Sequence, residues 1–168
     1  VAVSPAAPPR PGADLRLAVL ALAMMLPSLG TSIVNVSLPD IARDFGAGLP
    51  AVQWTVLAYL VALSAFIVGA GRLGDLFGRR RLLVAGIAVF TLASLAGACS
   101  TGLGLLVAFR AAQGLGAAVM MALSVASVGD LVPKERAGSA MGLLGTVSAV
   151  GTALGPTLGG ALVAACGW

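Results

Sequence analysis

Histidine is absent from the 168 residues, which removes a Ser-His-Asp or Cys-His catalytic pair, a His-ligated metal and a His proton relay together. Charge is scarce too, at 10% of residues against roughly 25% in soluble globular domains. Aromatic residues make up 5%, and no aromatic-interleaved basic patch accompanies the net charge of +4, so nucleic acid is excluded as a partner. The two cysteines, Cys99 and Cys166, lie among small apolar residues without Cys-x-x-Cys spacing and read as space-filling. Soluble-enzyme, hydrolytic and metal chemistry therefore fall together. The chain is not expected to be an enzyme, and neither a metal nor a cofactor is expected.

What the chain has instead is hydrophobic residues, 59% of the total, with a mean hydropathy of +1.05. Five charge-poor stretches take up most of its length: about 17–38, 52–70, 82–100, 104–128 and 140–165. Each exceeds the roughly 17 residues needed to cross a bilayer. Lipid offers no partners for exposed backbone groups, so runs of this length are helices. The expected fold class is all-α and integral to the membrane, with the lipid bilayer as a partner. Arg10, Arg16, Arg72, Arg79, Arg80, Arg81, Lys134 and Arg136 fall on one side of these spans and only Arg43 on the other, eight against one. That excess makes the richer side cytoplasmic, with the amino terminus in the cytosol of a multi-pass protein of the plasma (inner) membrane and Trp168 at the outer face.

Residues 1–16 carry Pro5, Pro8, Pro9 and Pro11 and read as a disordered cytosolic tail. The apolar run after Arg16 is longer than the roughly 7–15 residues of a signal core, so it reads as a span and not as a cleavable leader. The chain opens on Val1 and stops directly after an apolar run, and it reads as a fragment.

Three connections and faces carry the polar chemistry. The second and third spans are joined by Gly71-Arg72-Leu73-Gly74-Asp75-Leu76-Phe77-Gly78-Arg79-Arg80-Arg81, which reads as a tight turn whose glycines let two helix ends approach closely. Asp75 beside a helix end can accept backbone or guanidinium hydrogen bonds. An ordinary positive-inside loop would account for the arginines, but not for the Gly-x-x-Gly-Asp-x-x-Gly spacing.

In the fourth span, Arg110 and Gln113 are three apart and share a helical face. An arginine at mid-helix costs on the order of 2.5–3.5 kcal/mol to insert and each Leu returns only about 0.3–0.6, so Arg110 is expected to face a polar cavity or a partner. The alternative is snorkelling: Gly104 is six residues away, about 9 Å by helical rise, within reach of the outer headgroups. In the fifth span, Gly151, Gly155 and Gly159 recur every four residues, with Gly160 beside them, as two overlapping Gly-x-x-x-Gly units suited to close helix contact. Pro156 interrupts that helix and cannot donate to the carbonyl of Thr152, so a bend or hinge is expected there.

These strings resemble the major facilitator superfamily. The loop is similar to its signature Gly-x-Leu-(Ala/Gly)-Asp-Arg-x-Gly-Arg-(Arg/Lys), with Leu76 standing where the signature has Arg and Asp75, Gly78 and Arg79 matching. The resemblance implies that this Asp and the basic residues after it help hold two transporter halves together on the cytoplasmic side in the outward-open state. Arg110-Ala111-Ala112-Gln113-Gly114-Leu115-Gly116-Ala117 is similar to a second motif, whose arginine the family associates with proton transfer or coupling. The string from Gly151 to Gly160 resembles the antiporter motif found in the family's exporters. Leu29 to Pro39 is similar to the signature of the fourteen-helix drug:proton antiporter branch, with Gly30 where that branch commonly has Asp. Asn35, within it, is an uncharged cavity candidate, with helix packing as the alternative.

The resemblance covers residues 17–168 and implies the first five helices of the amino-terminal half of a transporter. The implied function is proton-coupled export of drugs or metabolites, driven by the proton gradient. Its implied partners are a small, amphiphilic substrate and the missing carboxy-terminal half. All six acids (Asp14, Asp40, Asp44, Asp75, Asp130 and Glu135) are terminal or in connections, so a proton-binding carboxylate within the membrane would come from outside this chain. Two rival readings remain: a non-transporting remnant or half-transporter interaction module, and a nutrient symporter of the same fold, which the Gly-Pro motif disfavours.

Overall fold

The computed structural model describes residues 13–166 and consists of five helices. These are α1 (Ala13–Asp44), α2 (Leu49–Phe77), α3 (Arg79–Ala98), α4 (Leu103–Leu131) and α5 (Lys134–Cys166), with no strand among the described residues. Even the shortest, α3, has 20 residues, about 30 Å of helix, which matches the hydrocarbon thickness of a bilayer. All five are long and apolar enough to cross a membrane.

The helices overrun the expected spans at most ends, because a charged or glycine residue ends an apolar run without ending a helix. Residues 13–16, read as part of a disordered tail, form the first turn of α1, and residues 1–12 lie outside the described residues. The expected turn over 71–81 is almost entirely helical: α2 runs through Gly71, Gly74 and Asp75 to Phe77, and α3 starts at Arg79. Gly78 alone separates the two helices, at φ 89°, a left-handed backbone that an L side chain rarely adopts. The connection between α4 and α5 is nearly as short. Val132 is extended, as a residue before proline prefers, and Pro133 precedes the first turn of α5. Pro156 does not interrupt α5, which is continuous from Lys134 to Cys166.

The bundle is built around α4, which touches every other helix, most extensively α2 and α3, while α5 packs mainly on α1. Ala23, Tyr59, Phe90, Ala117 and Met120 join four helices in one cluster. Leu17, Ala21, Met24, Val128, Ala140 and Leu144 tie α1, α4 and α5 together in another. Polarity is inverted relative to a soluble bundle. Val68 and Leu92 are 75% and 66% exposed, whereas Arg110 is 5% exposed. Gln113, Thr55, Ser124, Ser32 and Ser37 are buried as well. A solvent of hydrocarbon outside and a polar interior is the arrangement expected of helices in lipid.

Candidate functional site

Gly114 and Gly116 set the position of Arg110. A Cβ at Gly114 would collide with the Tyr59 carbonyl oxygen on α2, and one at Gly116 would lie 2.7 Å from the Phe90 nitrogen on α3. Glycine at both positions therefore lets α2 and α3 close on opposite sides of α4. That approach puts a backbone carbonyl of α2 within reach of a side chain on α4: Arg110 Nε donates to Thr55 O at 3.2 Å. Arg110 Nη1 donates to Gln113 Oε1, Gln113 Nε2 donates to Ser94 Oγ at 2.6 Å, and Ser94 Oγ donates to Phe90 O at 2.7 Å. The guanidinium carbon stands 4.6 Å from the centroid of the Tyr59 ring, a cation–π distance, and Tyr59 OH donates to Pro27 O on α1 at 3.4 Å. Arg110 and Gln113 thus share one face, and the arginine is anchored inward against α2 and, through Gln113, linked to α3 instead of snorkelling to the headgroups.

Arg110, Gln113 and Ser94 line a cavity of about 240 Å³ together with Gly30, Ser37 and Thr55. Its other walls are apolar residues of α1, α3 and α4, Phe109 among them. Asn35 is exposed and is not among the lining residues. Gly30 is: a Cβ there would meet only the Phe90 ring tip, at 3.7 Å, an ordinary contact.

At the end of the bundle carrying the α2–α3 break, Arg79 is the centre of a second cluster. Its Nε and Nη2 donate to Asp75 Oδ1 at 3.2 and 2.9 Å. Its Nη1 donates to Asp130 Oδ2 at 2.6 Å and to Ala126 O at 2.7 Å. One guanidinium therefore bridges the last turns of α2 and α4, where the partial negative charge of a helix end favours a cation. Gly74 enables the contact by seating against the Leu123 side chain of α4. Leu76 is 78% exposed and takes no part, so the cluster is complete without a basic residue at that position. Gly71 faces open space, and Arg80 is exposed, lining a groove with Arg16, Leu15 and Val19.

The third element is the seam between α1 and α5. A Cβ at Gly151 would lie 2.9 Å from Met25 O, one at Gly155 would overlap the Ser32 side chain, and one at Gly159 would lie 3.1 Å from Ile33 Cα. All three glycines of the four-residue repeat thus press on α1, whereas Gly160 faces open space and Pro156 is exposed. Ser32 Oγ donates to Thr152 O at 2.8 Å, and the Ser28 and Ser148 hydroxyls are 2.6 Å apart.

Sequence reasoning missed Thr55, Tyr59, Ser94, Ser32 and Asp130. Only Asp130 carried a signal, as an acid close to the basic side of the fourth span, opposite a run of three arginines. The others are neutral residues whose roles come from helix proximity.

The family model of the Major Facilitator Superfamily matches residues 20–168. The chain is 42% identical over 156 residues to the multidrug resistance protein Stp of Mycobacterium tuberculosis, an alignment covering 92% of this chain and 29% of that protein. It is 36% identical to the tetracenomycin C resistance and export protein of Streptomyces glaucescens, covering 90% of this chain and 28% of that one. It is 33% identical to the riboflavin transporter RibZ of Clostridioides difficile, over 90% of this chain and 33% of the relative. The fold is shared with the crystal structure of a bacterial homologue of the human lysosomal transporter Spinster, in an inward-facing, unoccupied conformation. There the TM-score is 0.81 at 18% identity, over 91% of this chain and 32% of that one. The chain spans about a third or less of the length of these relatives.

Proposed function

This chain belongs to the major facilitator superfamily, and from that premise we propose that it is the amino-terminal portion of a proton-coupled exporter of drugs or metabolites. The observation that carries the reading is its similarity, at 42% and 36% identity, to proteins named for multidrug resistance and for resistance and export. The α1–α5 seam supports it, because the glycine-proline string that resembles the exporter motif forms a close helix contact.

Three roles follow for the candidate residues. Asp75, Arg79 and Asp130, with Gly74 and Gly78 shaping the backbone, form a cytoplasmic latch between α2 and α4 that biases the conformational cycle. Arg110 is the coupling residue. A guanidinium stays charged at any accessible pH, so it acts on a proton by lowering the proton affinity of a neighbouring carboxylate or substrate group. The seam of Gly151, Gly155 and Gly159 against α1 keeps that half of the cavity in one piece as its exposure alternates. The second half of the transporter completes the substrate path, the amino terminus is cytoplasmic, and the site is the plasma membrane.

The riboflavin transporter among the relatives favours a second reading, transport of a nutrient on the same fold. The full-length protein in everted membrane vesicles separates the two. An exporter accumulates ethidium or another amphiphilic drug in the vesicle lumen when an inside-acid gradient is imposed, and releases it when the gradient is collapsed. A nutrient importer does neither.

A further inference from the structure

Tyr59 is the largest of the fully buried side chains, and it lies on α2, whose buried residues are Val52, Thr55, Tyr59, Ala70 and Gly74. Thr55 and Tyr59 are about one helical turn apart, and both meet the same guanidinium. Thr55 O accepts from Arg110 Nε at 3.2 Å, while Arg110 Cζ lies over the Tyr59 ring, 4.6 Å from its centroid. Gln113 Oε1 accepts from Nη1, and Nη2 is buried without a hydrogen-bond partner among the described residues. Hydrogen bonds hold a guanidinium by its edge, and the ring holds it by its face. Gly114, four residues after Arg110 on α4, sets the ring in place: a Cβ there would collide with the Tyr59 carbonyl oxygen and lie 3.0 Å from Ala62 Cβ. Ala23 of α1, Phe90 of α3, and Ala117 and Met120 of α4 pack with Tyr59 in one cluster, so the ring has little room to turn. Every one of these groups belongs to α1–α4, and the arrangement is built by this chain's own helices.

We propose that Tyr59 is the positioning residue of Arg110, holding the guanidinium by its face at the place from which its charge acts on a proton. The assignment rests on Arg110 being the coupling residue and adds what keeps it in place. The ring does the holding, and the hydroxyl contributes little. Tyr59 OH stands 3.4 Å from Pro27 O, long for a hydroxyl hydrogen bond, and Thr31 Oγ1 donates to the same carbonyl at 3.0 Å. An aromatic face carries partial negative charge, and it attracts a guanidinium within about 6 Å more strongly when the pair is desolvated. Arg110, at 5% exposed, and Tyr59, at 2%, meet that condition. A carboxylate in the ring's place would pair with Arg110 and cancel much of its field. The ring has no net charge, so it fixes the cation and leaves the field intact.

The test compares Tyr59→Phe with trifluorophenylalanine at position 59 of the full-length protein. The two rings have nearly the same shape, but fluorination removes most of the negative charge from the face. Tyr59→Leu adds a variant without a ring. Gradient-driven drug accumulation in everted vesicles is measured against pH at matched protein levels, and the pH of half-maximal accumulation is read for each. Tyr59→Phe should keep the wild-type midpoint, because its ring still lies over Arg110. The fluorinated ring and Tyr59→Leu should move the midpoint upward by about half a pH unit or more, roughly a threefold rise in the proton affinity of the group on which Arg110 acts. The sign follows because a positive charge that is no longer held in place lowers that affinity less. A ring that only fills the core would give Phe and its fluorinated form one shared midpoint, and that result would overturn the proposal. If Tyr59→Leu does not reach the membrane, the comparison of the two rings decides alone. Wild type without gradient-driven export would overturn the coupling reading and this inference together, whereas normal wild-type export with a shared midpoint overturns this inference only.

Discussion

Ser32 of α1 donates its hydroxyl proton to the carbonyl of Thr152 on α5 at 2.8 Å, and Thr152 is the residue whose carbonyl Pro156 leaves without an intrahelical donor. A proline has no N–H to offer the carbonyl four residues before it, and in lipid no water replaces that donor. The α1 hydroxyl replaces it here. It does so beside Gly155, whose missing Cβ lets Ser32 approach, so the proline, the glycine and the serine form one local solution that keeps α5 continuous.

Replacing Ser32 by Ala should therefore cost little, about 0.6 kcal/mol, the average measured for hydrogen bonds between membrane helices. The full-length protein should show a slightly lower thermal midpoint with unchanged expression. An unchanged midpoint would mean that the Thr152 carbonyl finds another donor.

Adding a methyl group should cost more than removing the hydroxyl. Gly155→Ala places a Cβ on the Ser32 side chain and 3.3 Å from Ile33 N, and overpacking of that kind costs about 1–3 kcal/mol. Gly160→Ala, five residues along the same helix, enters open space. Comparing the two variants for export at matched expression should show a loss of most activity in the first and near-normal activity in the second. Equal behaviour would remove the seam from the account.

Asp75→Asn should impair export with little loss of membrane expression. Arg79 keeps Asp130 and the Ala126 carbonyl, so the helices stay together, and the exposed Asp75–Arg79 pair, with Asp75 65% exposed, contributes at most about 1 kcal/mol to stability. Its value lies in the balance between conformations, where a comparable energy changes populations about fivefold. Drug accumulation in vesicles carrying equal amounts of wild type and variant measures this. Normal accumulation would return the connection to a simple topological loop.

Cys99 is exposed at the end of the bundle opposite the Arg79 cluster, the end that the proposed topology places outside. An impermeant maleimide added to intact cells should label Cys99 in a Cys166→Ala background. Labelling only from the cytoplasmic side of everted vesicles would invert the topology.

Helix number, order and membrane character were legible because hydrocarbon length is a one-dimensional constraint that an apolar run either meets or does not. Helix ends were not. Asp75 and Gly74 look like loop residues, yet α2 continues through both because only Gly78 has the backbone conformation that breaks a helix. The Arg110–Gln113 pair was legible from its spacing, as was the face of Gly151, Gly155 and Gly159. Their partners Thr55, Tyr59, Ser94 and Ser32 were not, since a hydroxyl or ring in an apolar run reads the same whether it meets another helix or lipid. Asn35 is the converse case: a polar residue inside a span that is exposed and does not line the Arg110 cavity among the described residues.

The central claim is that Arg110 couples export to protons through its fixed charge, and one measurement tests it most directly. Full-length wild type, Arg110→Lys and Arg110→Ala are compared in everted vesicles for drug accumulation with and without an imposed pH gradient, at matched protein levels. Lys keeps the charge but not the planar fork that reaches both Thr55 O and Gln113, whereas Ala keeps neither. The account predicts partial gradient-driven export by the Lys variant and almost none by the Ala variant. Normal gradient-driven export by Arg110→Ala would contradict it.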